Sequence, residues 1–281
     1  MINKICVAGA GTMGIGIAMC AAQNGVEVVL FDNNIKVLEV AQLTIEKNLS
    51  ALIEKNKIAA NEKTEILSRI VFTTEIKTCK APLIIEAIIE KAEIKIQLFN
   101  ELSKYNETSS IFASNTSSLS INLLQQNISN PERVAGLHFF NPAQIMKLVE
   151  VVKAEKTNDE VIAKLTSFCL QLKKSPVVCI DAPGFIVNRV ARHYYLEAMR
   201  LVENNQATIE QVDEIMEASG FKMGPFKLMD LIGNDINLAV SQSLYDAFNQ
   251  ESRFEPSALQ KEKVKSGNLG RKTGEGFYKY Q

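Results

Sequence analysis

The chain has 281 residues, of which 46% are apolar and 22% are charged, and its formal net charge is −1. The length and apolar content suit one large or two smaller globular domains, and the near-neutral charge gives no general attraction to nucleic acid or an anionic membrane. The five cysteines form no Cys-x-x-Cys pair, and we find neither an export signal nor an apolar run of about 18 residues. We therefore expect a cytoplasmic protein with reduced cysteines.

Short β-rich runs alternate with helical segments along the first part of the chain. These runs are Ile5–Ala8, Val26–Phe31, Ile70–Thr73, Leu83–Ala87, Ile111–Ala113, Arg133–Phe139 and Leu148–Val152. Such alternation predicts a mostly parallel sheet with helices packed on its faces.

A change of pattern follows the extended run Pro176–Ile180. Asp181-Ala-Pro-Gly184 breaks the chain, and helical periodicity alone comes after it. We predict an α/β domain over residues 1–183 and an all-helical domain over residues 184–281. Amphipathic stretches such as Ile209–Ala218 and Leu228–Phe248 bury either a subunit interface or the core of their own domain.

The first strand is followed by a glycine-rich turn, Gly9-Ala-Gly-Thr-Met-Gly14, which opens a helix. Gly9 allows the tight turn, Gly11 lets the backbone approach a pyrophosphate, and Gly14 permits close packing of helix on strand. The phosphates then lie at the helix N-terminus, with its partial positive charge. The turn, including Thr12 and Met13, therefore predicts a dinucleotide site on a Rossmann-type sheet.

The second strand ends at Asp32, 18 residues past Gly14. A carboxylate at this position accepts hydrogen bonds from the adenosine ribose hydroxyls and repels a 2′-phosphate, which favours NAD. Lys36 lies close enough to leave NADP open, and a capping aspartate without a cofactor role is the alternative interpretation.

Two helical stretches, roughly Ile35–Lys55 and Asn61–Ser68, follow Asp32, where one short helix would suffice. They predict a helical hairpin that projects from the sheet. The hairpin is rich in basic residues, namely Lys47, Lys55, Lys57, Lys63 and Arg69. These residues form either a solvated face or a phosphate-binding edge.

His138 ends an apolar strand, at the sheet edge where open α/β sheets bind ligands. It is a candidate acid-base residue, although a lone histidine between apolar neighbours is also typical of a core. Glu150 stands within the apolar run Leu148–Val152, where an unpaired charge would be costly, so the imidazole is its expected partner. The alternative is a carboxylate that faces outward from the sheet edge.

Polar side chains also follow the run Ser110–Ala113, in the segment Ser114-Asn-Thr-Ser-Ser118. We expect this segment either to lie near a nicotinamide or a substrate carbonyl or to cap a helix. Asn188, the one uncharged polar residue of Gly184-Phe-Ile-Val-Asn-Arg-Val190, is a weaker candidate for the same role.

Together these elements closely resemble the short-chain L-3-hydroxyacyl-CoA dehydrogenase family, including its clostridial-type 3-hydroxybutyryl-CoA dehydrogenases, over essentially the whole chain. Besides the glycine turn, the matching motifs are Phe112-Ala-Ser-Asn-Thr-Ser-Ser118, Gly136-Leu-His-Phe-Phe-Asn-Pro142, Lys147-Leu-Val-Glu-Val151, Pro183-Gly-Phe-Ile-Val-Asn-Arg189, Gly224-Pro-Phe226 and Gly270-Arg-Lys-Thr-Gly-Glu-Gly-Phe-Tyr278.

The resemblance implies a role for each matching position. It implies that His138 and Glu150 form the catalytic pair and that Ser117 and Asn188 bind the substrate oxygen. The cofactor NAD would be contacted by further residues, namely Asp32, Glu90, Lys95, Ser117, Asn141 and Lys272. Coenzyme A would be contacted by Asn48 and Lys55, where the family pattern has a small polar residue and a lysine; a readily compared family member has a serine where this chain has Asn48. The implied substrate is a short acyl-CoA, and the implied assembly is a homodimer.

Two other functions fit parts of the pattern. A β-hydroxyacid dehydrogenase that acts on a free acid also joins a glycine-turn domain to a helical one, but such enzymes typically use a catalytic lysine. A non-catalytic protein of this fold, as among the lens crystallins related to the family, would bind NAD without turnover.

Overall fold

Eight strands alternate with helices in the first part of the computed structural model, which describes residues 1–280. The strands are β1 (Lys4–Ala8), β2 (Glu27–Phe31), β3 (Ile70–Thr73), β4 (Leu83–Glu86), β5 (Ile111–Ser114), β6 (Val134–Phe139), β7 (Leu148–Lys153) and β8 (Ser175–Ile180). They form one sheet in the order β3-β2-β1-β4-β5-β6-β7-β8. All neighbouring pairs are parallel except β6 and β7. The predicted Rossmann-type, mostly parallel sheet is confirmed.

The helices of this part connect the strands and cover the sheet. They are α1 (Thr12–Gln23), α2 (Ile35–Glu54), α3 (Ala60–Ser68), α4 (Ala92–Ser103), α5 (Ile121–Gln125) and α6 (Asp159–Gln171). The central strands β1 and β4 are almost entirely apolar because both of their faces are buried. One continuous core contains apolar residues from the strands and from α1, α2 and α6.

Helices α2 and α3 form the connection between the parallel strands β2 and β3. The apolar residues Leu38, Ala41, Ile45 and Leu49 recur on one face of α2 and are buried in the main core. Along this face α2 packs on the main core, and α2 and α3 together form the predicted helical hairpin between β2 and β3.

The antiparallel pair β6–β7 determines the geometry around His138. Its register sets His138 opposite Glu150 and Gly136 opposite Val152. A Cβ atom at Gly136 would lie 2.7 Å from the Cβ of Val152, so the two strands can approach only because this residue is glycine.

The second part of the chain is helical. Its helices are α7 (Val187–Glu203), α8 (Ile209–Ala218), α9 (Pro225–Ile232), α10 (Asn234–Ala247) and α11 (Ala258–Lys265). The amphipathic stretch Leu228–Phe248 spans two helices, because Gly233 separates α9 from α10 with a φ of 106° that L-residues rarely adopt. Within residues 1–280, no helix is both long and apolar enough to cross a bilayer.

Two buried aspartates hold the C-terminal segment onto the helices. Asp230 accepts hydrogen bonds from the backbone N–H groups of Phe277 and Tyr278 and from the hydroxyl of Tyr280, each at 2.9 Å. Asp213 accepts from the first turn of α9 and from the hydroxyl of Tyr278 at 2.9 Å. We call these contacts the C-terminal clasp.

The chain divides into two compact units, Met1–Ala182 and Pro183–Gln281. The first holds the sheet and the second holds α7 to α11. The assignment of substrate-binding and dimer contacts to the second unit stays a prediction.

Candidate active site

The glycine turn lies between β1 and α1, where each glycine meets a different requirement. Gly9 has a φ of 106°, and a Cβ atom there would lie 2.6 Å from the carbonyl oxygen of Ala87. A Cβ atom on Gly14 would lie 1.8 Å from the carbonyl oxygen of Gly9, so this position allows no side chain. At Gly11 no atom lies within 4 Å of a Cβ position, which leaves open space in front of the backbone.

The N-terminus of α1 suits a phosphate group. Gly11 is its N-cap and offers no side chain to accept hydrogen bonds, and Thr12 and Met13 form the start of the helix. The first N–H groups of a helix have no partner within it, and they attract an anion. The turn therefore fits the pyrophosphate of a dinucleotide.

Asp32 connects the end of β2 to the glycine turn. Its Oδ2 accepts a hydrogen bond from the N–H of Ala10 at 3.0 Å, and its Oδ1 accepts from the N–H of Asn34 at 3.0 Å. Each carboxylate oxygen has two lone pairs, so one acceptor site remains on each for a ribose hydroxyl. Asp32 can therefore accept hydrogen bonds from these backbone N–H groups and from a ribose hydroxyl at the same time.

A cavity of about 550 Å³ extends from the glycine turn along α2. It is lined by Ala10, Gly11, Thr12, Ile15, Gly16, Lys36, Val37, Val40, Thr44, Asn48, Asn141, Pro142 and Gln144. The cavity thus brings together predicted cofactor residues (Gly11, Thr12 and Asn141) and a predicted coenzyme A residue (Asn48).

The basic residues of the α2–α3 hairpin differ in their partners. Lys63 donates to the Oγ of Ser50 at 2.8 Å, and Arg69 donates to the carbonyl of Ala22 at 3.1 Å, so both take part in packing. Lys55 is the exposed C-cap of α2 and does not line the cavity. It forms no ion pair with a carboxylate of residues 1–280.

His138 and Glu150 form a buried pair. Their exposed fractions are 6% and 1%, and Nδ1 of His138 lies 2.8 Å from Oε2 of Glu150. An ionised carboxylate can only accept a hydrogen bond, so Nδ1 carries the proton and Nε2 of a neutral ring is an acceptor. The arrangement matches a histidine that exchanges a proton through Nε2 while a carboxylate orients it.

The segment from Ser114 to Ser118 follows β5 at the same sheet edge. Asn115 accepts a hydrogen bond through Oδ1 from the N–H of Phe139 at 2.8 Å, which connects the segment to the strand of His138. Glu90 accepts through Oε1 from the N–H of Ser117 at 3.1 Å and from the hydroxyl of Thr116.

An acid–lysine–acid cluster contacts this segment, with Glu86 and Lys95 buried and Glu90 partly exposed. Nζ of Lys95 is 2.6 Å from Oε1 of Glu86 and 3.1 Å from Oε2 of Glu90. Glu86 also accepts from the Oγ of Ser114 at 2.6 Å. Burial raises the pKa of Glu86 although Lys95 opposes the shift. Burial also acts to raise the pKa of Glu90, but Lys95 and the hydroxyls of Thr116 and Ser118 outweigh it, and the net pKa is lowered.

Glu86 was not predicted as a site residue. The available signal was a carboxylate at the end of the apolar strand β4, which is buried and costly unless it is paired.

The second unit contains the two remaining candidates. Asn188 lies in the first turn of α7. Lys272 donates to both carboxylate oxygens of Asp235 at 2.6 Å. Among residues 1–280, no group of three His, Cys, Asp or Glu side chains could hold a metal ion.

Two family models match the chain. The model of the 3-hydroxyacyl-CoA dehydrogenase NAD binding domain covers residues 4–182, and that of the 3-hydroxyacyl-CoA dehydrogenase C-terminal domain covers residues 184–280.

Similar proteins cover the whole chain. It is 44% identical to a 3-hydroxyadipyl-CoA dehydrogenase of Escherichia coli (strain K12), covering 100% of this chain but 59% of that protein. It is 40% identical to the mitochondrial hydroxyacyl-coenzyme A dehydrogenase of Sus scrofa, covering 100% of this chain and 92% of that protein. The crystal structure of (S)-3-hydroxybutyryl-CoA dehydrogenase from Ralstonia eutropha matches with a TM-score of 0.95 and 36% identity, covering 100% of both chains.

Proposed function

Because the chain belongs to the 3-hydroxyacyl-CoA dehydrogenase family, whose NAD-binding model spans its first unit, we propose that it interconverts a short-chain (S)-3-hydroxyacyl-CoA and the 3-ketoacyl-CoA. The proposed substrate pair is 3-hydroxybutyryl-CoA and acetoacetyl-CoA. The observation that carries the proposal is the buried pair of His138 and Glu150 at the sheet edge that also holds the glycine turn.

His138 carries out the proton transfer of the proposed reaction. In the oxidative direction, Nε2 takes the proton of the 3-hydroxyl group as the C3–H bond breaks. Bound NAD supplies the hydride acceptor. Glu150 stabilises the imidazolium that forms, because its carboxylate lies 2.8 Å from Nδ1. In the reductive direction, the imidazolium returns the proton to the oxygen.

The remaining polar residues are assigned to binding and orienting the substrate and the cofactor. Ser117 and Asn188 are assigned to the substrate oxygen, where fixed donors stabilise the charge that develops in the transition state. Asp32, Asn141 and Lys272 are assigned to NAD. The coenzyme A moiety is assigned to Asn48 and Lys55. The support is the cavity that joins the glycine turn to Asn48. The homodimer stays a prediction.

The test is an assay of NADH oxidation with acetoacetyl-CoA, run beside free acetoacetate and with NADPH as the second cofactor. We expect turnover with acetoacetyl-CoA and NADH. Turnover of free acetoacetate alone would contradict the acyl-CoA assignment, and NADH binding without turnover would favour a non-catalytic protein. A preference for NADPH would contradict the role of Asp32.

A further inference from the structure

Lys174 is a buried lysine whose side chain contacts the connection between β6 and β7. We propose that Lys174 is a positioning residue for the reaction proposed above. Its ammonium group holds residues 141–146, which we call the wall segment, against α1, and thereby fixes the part of the cavity wall that Asn141 and Gln144 form. This inference rests on the proposed function, since Asn141 is assigned there to NAD.

Backbone carbonyls of the wall segment accept hydrogen bonds from the ammonium group of Lys174. Nζ donates to the carbonyl oxygen of Ala143 at 2.6 Å and to that of Met146 at 2.9 Å. The side chain is only 7% exposed, and a buried ammonium group is costly unless its donors have partners. The two accepting residues lie on either side of Gln144 and Ile145 in the sequence. One lysine therefore holds the wall segment at two points.

The end of α6 fixes the backbone from which this side chain extends. Lys173 has a φ of 57°, in the left-handed region. Its N–H donates to the carbonyl of Leu170 at 2.9 Å, and the N–H of Lys174 donates to the carbonyl of Cys169 at 2.9 Å. These two hydrogen bonds form a Schellman motif, which ends a helix in a defined geometry. The ammonium group of Lys174 thus projects from a rigid base.

The wall segment packs directly on α1. A Cβ atom at Gly16, in the second turn of this helix, would lie 3.0 Å from Oε1 of Gln144 and 3.1 Å from Cβ of Ala143, so glycine permits the close approach. Lys174 also faces α1. Burial raises the pKa of the Cys20 thiol, and the charge of Lys174 and a hydrogen bond from it oppose that shift. The lysine therefore joins the end of α6, the wall segment and α1.

The position of the wall segment matters because it lines the cavity. Asn141, Pro142 and Gln144 line it together with Gly11 and Thr12 of the glycine turn. A side-chain amide binds a ligand only if its backbone holds it within hydrogen-bonding distance. The contact of Asn141 with NAD should therefore depend on the hydrogen bonds that Lys174 donates.

The first experiment is the substitution Lys174→Met. Methionine keeps the length of the side chain and suits a buried position, but it removes the charge and every donor. We expect the Kd of NADH, measured by fluorescence, to rise about three- to tenfold, which is the contribution of one hydrogen bond. At saturating NADH, kcat with acetoacetyl-CoA should change by less than about threefold, because a cofactor contact is made in ground and transition states alike. The pH profile of kcat should keep its shape.

Three further variants test whether Lys174 acts through the wall segment. In a background that carries Asn141→Ala and Gln144→Ala, Lys174→Met should raise the Kd of NADH by less than about twofold more, because no wall amide remains to be positioned. Lys173→Met makes the same substitution at the exposed neighbour and should leave the Kd unchanged. If Lys174→Met does not fold, Lys174→Gln replaces it, since a shorter amide cannot reach both carbonyls and the same rise in Kd is expected.

Hydrogen exchange gives a readout that needs no turnover. The N–H groups of Ile145 and Met146 both donate to the carbonyl of Pro142 at 2.9 Å. We expect their exchange to become faster in Lys174→Met, with no change at the other amides of the sheet unit. A purely structural role predicts a lower melting temperature, faster exchange throughout the unit and an unchanged Kd of NADH, which would overturn the proposal. Wild-type protein that binds NADH but does not turn over acetoacetyl-CoA would refute the proposed function instead.

Discussion

Glu150 faces His138 across the antiparallel strands β6 and β7, with Oε2 of the carboxylate 2.8 Å from Nδ1 of the ring. The two residues are a direct cross-strand pair, so the backbone register fixes their approach. Both side chains are buried, which strengthens the interaction between the carboxylate and a protonated ring.

The variants Glu150→Gln and His138→Gln should distinguish the support that Glu150 gives to the imidazole ring from the proton transfer by His138. We expect His138→Gln to lower kcat by at least about a hundredfold, which is the lower range for acid-base catalysis. Glu150→Gln should lower kcat by a smaller factor, because Nε2 remains but the charge that stabilises the imidazolium is gone. The measurement is steady-state NADH oxidation, with the Kd of NADH as control. Near-normal kcat in His138→Gln would remove that residue from the mechanism.

Removal of the Asp32 carboxylate should weaken the preference for NADH over NADPH. A hydrogen bond to a charged group contributes about 1.5–3 kcal/mol, so Asp32→Ala should raise the KM of NADH by about tenfold or more. The KM of NADPH should rise less or fall, since the repulsion of its 2′-phosphate is gone. The variant also loses the contact with Ala10 N, so its thermal stability is measured in parallel. An unchanged ratio of the two kcat/KM values would refute the assignment.

Replacement of Lys55 should affect substrate binding more than turnover. An exposed ion pair contributes up to about 1 kcal/mol, so Lys55→Ala should raise the KM of acetoacetyl-CoA roughly two- to fivefold with kcat intact. The effect should shrink at high salt, where exposed charges are screened. Lys57→Ala is the matched control, because it removes an equal charge from the exposed turn after α2. Equal KM values in the two variants would argue for a general effect of charge.

Gly276 should tolerate no side chain. A Cβ atom there would lie 2.0 Å from Oδ1 of Asp230 and would displace the carboxylate from Phe277 and Tyr278. We expect Gly276→Ala to lower the free energy of unfolding by about 1–3 kcal/mol, as other overpacked interiors do. Thermal unfolding of the full chain is the measurement, and Lys279→Ala at an exposed position is the control. A melting temperature equal to that of the control would contradict the packing argument.

Local patterns in the sequence were sufficient to predict much of the fold and part of the site. The glycine turn was predictable because each of its glycines meets a steric requirement of the adjoining strand, turn or helix. The pairing of His138 and Glu150 was predictable because a carboxylate within an apolar strand needs a partner, and the nearby imidazole can provide one. Their roles in the reaction stay predictions.

Contacts between distant residues were harder to predict. The position of Glu86 at the end of an apolar strand indicates that it needs a partner, but the sequence does not identify Ser114, which lies 28 positions further on. Asp230 receives backbone donors from Phe277, 47 positions later, which no local pattern indicates. The division of the amphipathic stretch Leu228–Phe248 at Gly233 is not indicated by its apolar periodicity, which continues on both sides of the glycine.

The C-terminal clasp has a consequence for synthesis on the ribosome. Asp230 receives three of its hydrogen bonds, and Asp213 one, from residues 277–280, which are translated after every helix of the second unit. Until those residues emerge, the two carboxylates of the helical unit lack four of their native hydrogen bonds, which lowers the stability of the unit. The Met1–Ala182 unit has its strands complete about a hundred residues earlier. Nascent chains should therefore acquire a folded nucleotide-binding unit well before the helical unit becomes stable.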